Sequence, residues 1–198
     1  MRTFKTLLFL FSFIVLFSAC KNRKKNENAP EFFPVSSFLK GQVKNVDTSL
    51  YRIIKIETVD GRSDTSYIRR EEFGKVAGDF TRLPDIGSDK YYDDYDETQM
   101  YDDALESFIL TYTTKEEDNE VQRADVMLGR GNEEGTNDVK NIIVRTVENK
   151  GQTSIEKSMV WYVDQKFIIV TKTYTKDKPE KINKVEVIWN DSRVFSKM

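Results

Sequence analysis

Apolar residues recur at two different periods along this chain, and the change of period organises it. In "SSFLKGQVKNV", residues 36–46, Leu39, Val43 and Val46 fall three and four positions apart. That spacing puts them on one face of a helix, with Ser36 or Ser37 placed to cap it. "SLYRIIKIETV", residues 49–59, alternates instead, with Ile54 and Ile56 on one side and Lys55 and Glu57 on the other. Asp60-Gly61 follows, a pair suited to a tight hairpin turn, so "RSDTSYI" is expected to return as the second strand. From Arg69 to Leu83 the helical period resumes: Phe73, Val76, Ala77, Phe80 and Leu83 form one stripe, and Pro84 stops it. Such a stripe is how a helix docks, so Phe73 and Phe80 are read as core.

The carboxy-terminal half has the period of a sheet. "ALESFILTYTTK", "EVQRADVML", "VKNIIVRTVEN", "SIEKSMVWYV", "KFIIVTKTYTK" and "KINKVEVIW" are rich in β-branched and aromatic residues and are joined by short polar turns. Six strands in this order predict an antiparallel meander. In the last run, Val185, Val187 and Trp189 oppose Lys184 and Glu186; in the fourth, Met159, Trp161 and Val163 oppose Val160 and Tyr162. Asp164-Gln165-Lys166 sits between two apolar runs and predicts a hairpin there. The expected fold class is therefore α+β: two helices and a hairpin packed on a curved, mainly antiparallel meander of about six strands. By analogy of fold alone, such a sheet looks like the half-barrels of lipoprotein carriers.

Two segments escape both periods. Residues 85–103, "DIGSDKYYDDYDETQMYDD", are acidic and tyrosine-rich and are read as a long connection. Asp93, Asp94, Asp96, Glu97, Asp102 and Asp103 are hard oxygen ligands of the kind calcium takes, but the glycine and closing glutamate of a calcium loop are missing. A solvated, mobile loop is the first reading, with a stacking surface for a glycan or a partner built from Tyr91, Tyr92, Tyr95 and Tyr101 as a lesser alternative. In "GRGNEEGTND", Gly129-Arg130-Gly131 lacks the rest of a phosphate-loop pattern and lies between strands, so it reads as a flexible hairpin loop.

The amino end has its own character. Arg2 and Lys5 precede the run "LLFLFSFIVLF", residues 7–17, and no acidic residue occurs before Glu27. A run this short falls below the ~20 apolar residues a membrane helix needs and has the form of a secretory signal peptide. It ends in Ser18-Ala19-Cys20, and Cys20 is the only cysteine. This stretch resembles the lipobox of bacterial lipoproteins, in which the cysteine becomes the new amino terminus and carries acyl chains. Phe17 departs from that pattern, which more often has an aliphatic or small residue there. The resemblance implies residues 1–19 as signal peptide, lipidation at Cys20, and 20–30 as a polar, basic tether. Residues 31–198 then form a single α+β domain. Each buried methylene contributes ~0.8 kcal/mol, so two or more chains hold a protein firmly to a bilayer.

Charge sharpens the division. The whole chain carries 31 basic and 33 acidic residues, a formal net charge of −2. Without Arg2 and Lys5 the balance is −4, and without Lys21, Arg23, Lys24, Lys25 and Glu27 it is −7. An acidic body is poorly suited to phosphate backbones, so no nucleic acid is expected as a partner. With no histidine in the chain, Ser-His-Asp, Cys-His and His-metal chemistry are excluded, and no cofactor or metal site is expected. The expectation is a non-enzymatic, lipid-anchored cell-envelope protein, held in the outer membrane facing the periplasm and binding a protein partner. One alternative is a carrier of lipid or another apolar ligand in a cavity lined by Met159, Trp161, Phe167, Ile169, Val187 and Trp189. Another is a carboxylate-based enzyme acting on cell-wall glycan.

Overall fold

The computed structural model describes residues 32–49, 52–131 and 137–190. The expected signal peptide, Cys20, the tether and the centre of the glycine-rich connection lie outside those residues. Nine strands form one antiparallel sheet: β1 (Ile53–Val59), β2 (Arg62–Ile68), β3 (Tyr95–Asp102), β4 (Ser107–Thr114), β5 (Val121–Arg130), β6 (Asn137–Lys150), β7 (Thr153–Tyr162), β8 (Lys166–Thr175) and β9 (Lys181–Ile188). Their order is β2-β1-β9-β8-β7-β6-β5-β4-β3, so a continuous meander runs from β3 to β9 and the early hairpin attaches to its far side.

The six expected strands are all present as β4 to β9, but the count of about six is corrected to nine. The β1–β2 hairpin is part of the sheet because β1 pairs with β9 over Val59↔Asn183 to Ile54↔Ile188. The ninth strand, β3, forms inside the segment read as an irregular connection. It is an edge strand in which only Tyr95 is buried, so its sequence never needed the alternation that reveals a half-buried strand. The Asp60-Gly61 turn is as expected: Val59 pairs with Arg62, and both turn residues have positive φ, 49° and 77°.

One face of the sheet is apolar by register. Leu110, Val126, Ile142, Trp161, Phe167 and Val187 are successive partners in one row. Tyr112, Ala124, Val144, Met159, Ile169 and Val185 make the next. A register shift near Met127 and Leu128 pairs Leu128 with Val139, which puts Val139 against the core and leaves Lys140 exposed. In β1 the core takes Ile53, while Ile54 and Ile56 point to the opposite face.

Helix α1 (Val35–Thr48) buries Val35, Leu39, Val43 and Val46 against these rows, at the spacing the sequence shows. Neither serine caps it. Pro34 holds the cap position, and Ser36 lies in the first turn, where its buried hydroxyl donates to the Leu83 carbonyl at 3.0 Å. The single helix expected over 69–83 is two short ones, α2 (Arg70–Val76) and α3 (Gly78–Thr81), so three helices stand where two were expected. Ala77, with φ −79° and ψ 8°, leaves the helical region between them, and Gly74 and Gly78 on either side weaken any continuous helix. The Arg69 amide donates to Glu72 Oε2 at 3.2 Å, which satisfies one free donor at the start of α2. Lys157 on β7 bonds Asp79 at 2.8 Å and ties α3 to the sheet.

Candidate functional site

The helix-covered face is filled. Met159, Trp161, Phe167, Ile169, Val187 and Trp189 are each no more than 5% exposed. Phe73 from α2 reaches Trp189 at 5.3 Å and Phe167 at 6.0 Å, ring centre to ring centre. Phe80 from α3 sits 5.1 Å from Trp161 and 5.2 Å from Phe167. Of the six side chains assigned to a ligand cavity, Trp161, Phe167 and Trp189 pack against aromatic rings of this same chain, and Met159, Ile169 and Val187 are buried in the same cluster. Burying apolar surface this way supplies the fold, at roughly 1.5–3 kcal/mol for a large side chain.

Two of the open clefts are lined by described residues. One, of about 600 Å³, lies at the β1–β2 end among Glu57, Val59, Asp60, Arg62 and Asp64. Glu57 and Asp64 are register partners, which is the one pairing here that a carboxylate-based enzyme would invite. A hydrogen bond from Lys55 and its charge hold the Glu57 carboxyl below the ordinary range. The second cleft, of about 520 Å³, opens between Phe38 and Gln42 of α1 and the ends of β6 and β7, with Asn141 and Gln165 on its wall.

The face away from the helices carries polar networks. Glu186 receives Lys166 at 2.9 Å and Lys184 at 2.9 Å. Burial pushes its carboxyl up, but the two lysines outweigh that and hold it below the ordinary range. Thr111 donates to Asp125 at 2.6 Å, and Arg123 bonds the same carboxylate at 2.8 Å. Among the described residues no group of three Asp, Glu, Cys or His is placed to hold a metal ion. Asp93 and Asp94 lie in a 3₁₀ turn (Tyr92–Asp94), whereas Asp96 and Glu97 project from opposite faces of β3. Asp102 accepts the amides of Ala104 and Leu105 at 2.9 and 3.0 Å, serving the β3–β4 turn.

The four tyrosines do not form one platform. Tyr95 is buried and donates to the Val121 carbonyl at 2.7 Å, and Tyr92 packs on Phe32 with ring centres 4.5 Å apart. Tyr91 is half-buried beneath the Lys90 ammonium, 4.3 Å from its ring centre. Only Tyr101 faces outward, 48% exposed, against Phe108 at 4.8 Å on β4.

That pair marks the surface on which the fold leaves most unburied. Tyr101, Phe108, Leu128 and Val139 are successive register partners, so the core's apolar rows continue outward to the sheet edge. Of the eight large apolar side chains exposed among the described residues, four belong to this hairpin: Met100, Tyr101, Leu105 and Phe108. From Tyr91 to Thr114 there is no lysine or arginine, while Asp93, Asp94, Asp96, Glu97, Asp102, Asp103 and Glu106 are acidic. Acidity and tyrosines mark this segment in the sequence, whereas Met100, Leu105 and Phe108 carry no local signal beyond the absence of any lysine or arginine across both strands.

Compared with protein-family models, curated proteins and solved structures, the chain matches none.

Proposed function

We propose that this is a non-enzymatic, lipid-anchored protein of the bacterial cell envelope that acts by docking a protein partner. The anchor is Cys20, read from its position at the junction of an apolar run and a basic tether. The observation that carries the docking role is the β3–β4 hairpin, where exposed Met100, Tyr101, Leu105 and Phe108 are gathered at one edge of a sheet whose apolar interior is otherwise filled. Tyr101 and Phe108 touch on one face and Met100 lies on the other, and exposed apolar side chains gathered among polar residues mark an interaction site. An accessory protein held at a membrane needs such a surface and no catalytic residues.

Growth of cells with labelled palmitate tests the anchor. Wild-type protein is expected to take up label and fractionate with membranes, and Cys20→Ser to do neither. Equal labelling of both, or of neither, overturns the anchored reading. Photo-crosslinking in intact cells from Phe108 tests docking. A discrete adduct with a second protein is expected, and its absence from the native, anchored protein overturns the partner-binding reading.

A further inference from the structure

We infer that the outer edge of β3 is a strand-docking site for an extended, net-basic segment of the partner protein. This rests on the partner-binding reading above and goes further by naming the mode and the chemistry. Among the described residues β3 pairs with β4 alone, so it is one of the two edges of the sheet. The Lys115 amide donates to the Asp94 carbonyl at 2.7 Å, which makes that position a hydrogen-bonded pair continuous with the β3–β4 register. Antiparallel pairs alternate, so Asp96, Thr98, Met100 and Asp102 turn their amides and carbonyls toward β4. Glu97, Gln99 and Tyr101 turn theirs outward, a ladder ready for one more strand.

Natural edges are usually protected against such pairing by charged side chains, lysine above all, and by proline, a short length or a bulge; the carboxylates of β3 guard it against acidic or like strands but not against a basic one. β3 is eight residues long, contains no lysine or proline, and pairs with β4 in unbroken register. The other edge, β2, differs: it carries Arg62 and Asp64 of opposite sign, and Tyr67 is its one large exposed apolar side chain.

Charge decides what occupies the β3 edge. A second copy pairing β3 to β3 about Gln99 would set Asp96 opposite Asp102 and gather four carboxylates at one seam, which is destabilising. Asp96 already receives Lys115 at 3.4 Å, and a basic segment relieves the remaining carboxylates. Along β3 the order is acidic at Asp96 and Glu97, polar at Thr98 and Gln99, apolar at Met100 and Tyr101, then acidic at Asp102 and Asp103. The complementary strand is Lys- or Arg-rich at both ends with an apolar centre, laid beside Tyr101 and Phe108 on one face and Met100 on the other.

The probe is a capped peptide, Lys-Lys-Val-Val-Thr-Lys-Lys, titrated into the full-length protein in detergent, with Glu-for-Lys and central-proline versions as controls. Binding is expected to protect the Glu97, Gln99 and Tyr101 amides from hydrogen exchange while leaving those of β2 unchanged. The Glu version is expected to bind at least roughly tenfold more weakly. Gln99→Pro, which removes an outward amide that β4 does not use, is expected to weaken binding about tenfold without lowering stability much. Asp96→Lys with Asp103→Lys should do the same through charge, leaving the Asp102 turn contacts in place. Protection on β2, affinity indifferent to all these changes, or a β3-linked dimer of the protein itself each overturns the inference. In cells, the segment crosslinked from Phe108 should be identified by mass spectrometry as net-basic in sequence. An adduct made with an acidic segment removes the strand mode and leaves the partner-binding reading intact; no adduct at all removes both.

Discussion

Trp161 and Phe167 are register partners on β7 and β8, and their rings stack 5.4 Å apart with 19° between the planes. The stack forms the floor on which Phe73 and Phe80 stand, and Trp189 closes its side at 5.2 Å from Trp161. Three separate segments of the chain therefore converge on one aromatic cluster, and its integrity can be measured directly.

Phe80→Ala is expected to cost about 3–5 kcal/mol, because it removes a ring fully buried between α3 and the stack. Denaturant unfolding measures the loss. The two tryptophans, Trp161 and Trp189, are the only ones in the chain, so their emission should also shift to longer wavelength. A cost below about 1 kcal/mol would mean that the cluster is not the core.

Gly41→Ala should stabilise the protein by about 0.5–1 kcal/mol. Gly41 lies exposed inside α1, and an added methyl group meets nothing within 4 Å. A rise in the unfolding midpoint with an unchanged slope is the expected result. By contrast Gly61→Ala, at φ 77°, should destabilise the β1–β2 hairpin by about 1 kcal/mol, since a side chain is strained in that region.

Stability should fall on the acid side through Glu186. Its folded carboxyl titrates below the ordinary 4.5, so the contribution of the lysine pairs is present above that pH. It is lost as pH falls through the folded value. Glu186→Gln is expected to flatten this acid limb in a pH series of unfolding midpoints; an unchanged limb would assign it to other carboxyls.

On the alkaline side Tyr95 and Tyr112 set the limit. Burial pushes both phenols up to about 12 from the ordinary 10.0, so their neutral forms favour the folded state. That stability is complete below pH 10 and is lost as pH rises towards about 12. Absorbance titration of the nine tyrosines should show a late group that vanishes on unfolding. Tyr112→Phe should shrink that group and cost about 1–3 kcal/mol, because the Phe33 amide at 2.9 Å loses its acceptor.

The candidate docking edge was only half legible. Its acidity and Tyr101 could be read directly, yet Tyr101 acquires meaning only from Phe108, seven residues away and across a turn. Tyr95 and Tyr92, identical to Tyr101 as letters, went inward because β4, β5 and Phe32 were there to cover them. A similar blindness explains β3 itself: an edge strand with both faces largely wet has no burial pattern to display.

Local periodicity by itself determined α1, the Asp60-Gly61 hairpin and strands β4 to β9, since each follows from spacing or turn chemistry confined to a few neighbouring residues. Composition alone set the acidic balance of residues 31–198. Only the tertiary structure decided that β1 joins β9, that the helix after β2 breaks at Ala77, and that the aromatic face is filled by Phe73 and Phe80. Those outcomes depend on contacts between residues distant in sequence, where the position of one partner is invisible until the other has been placed.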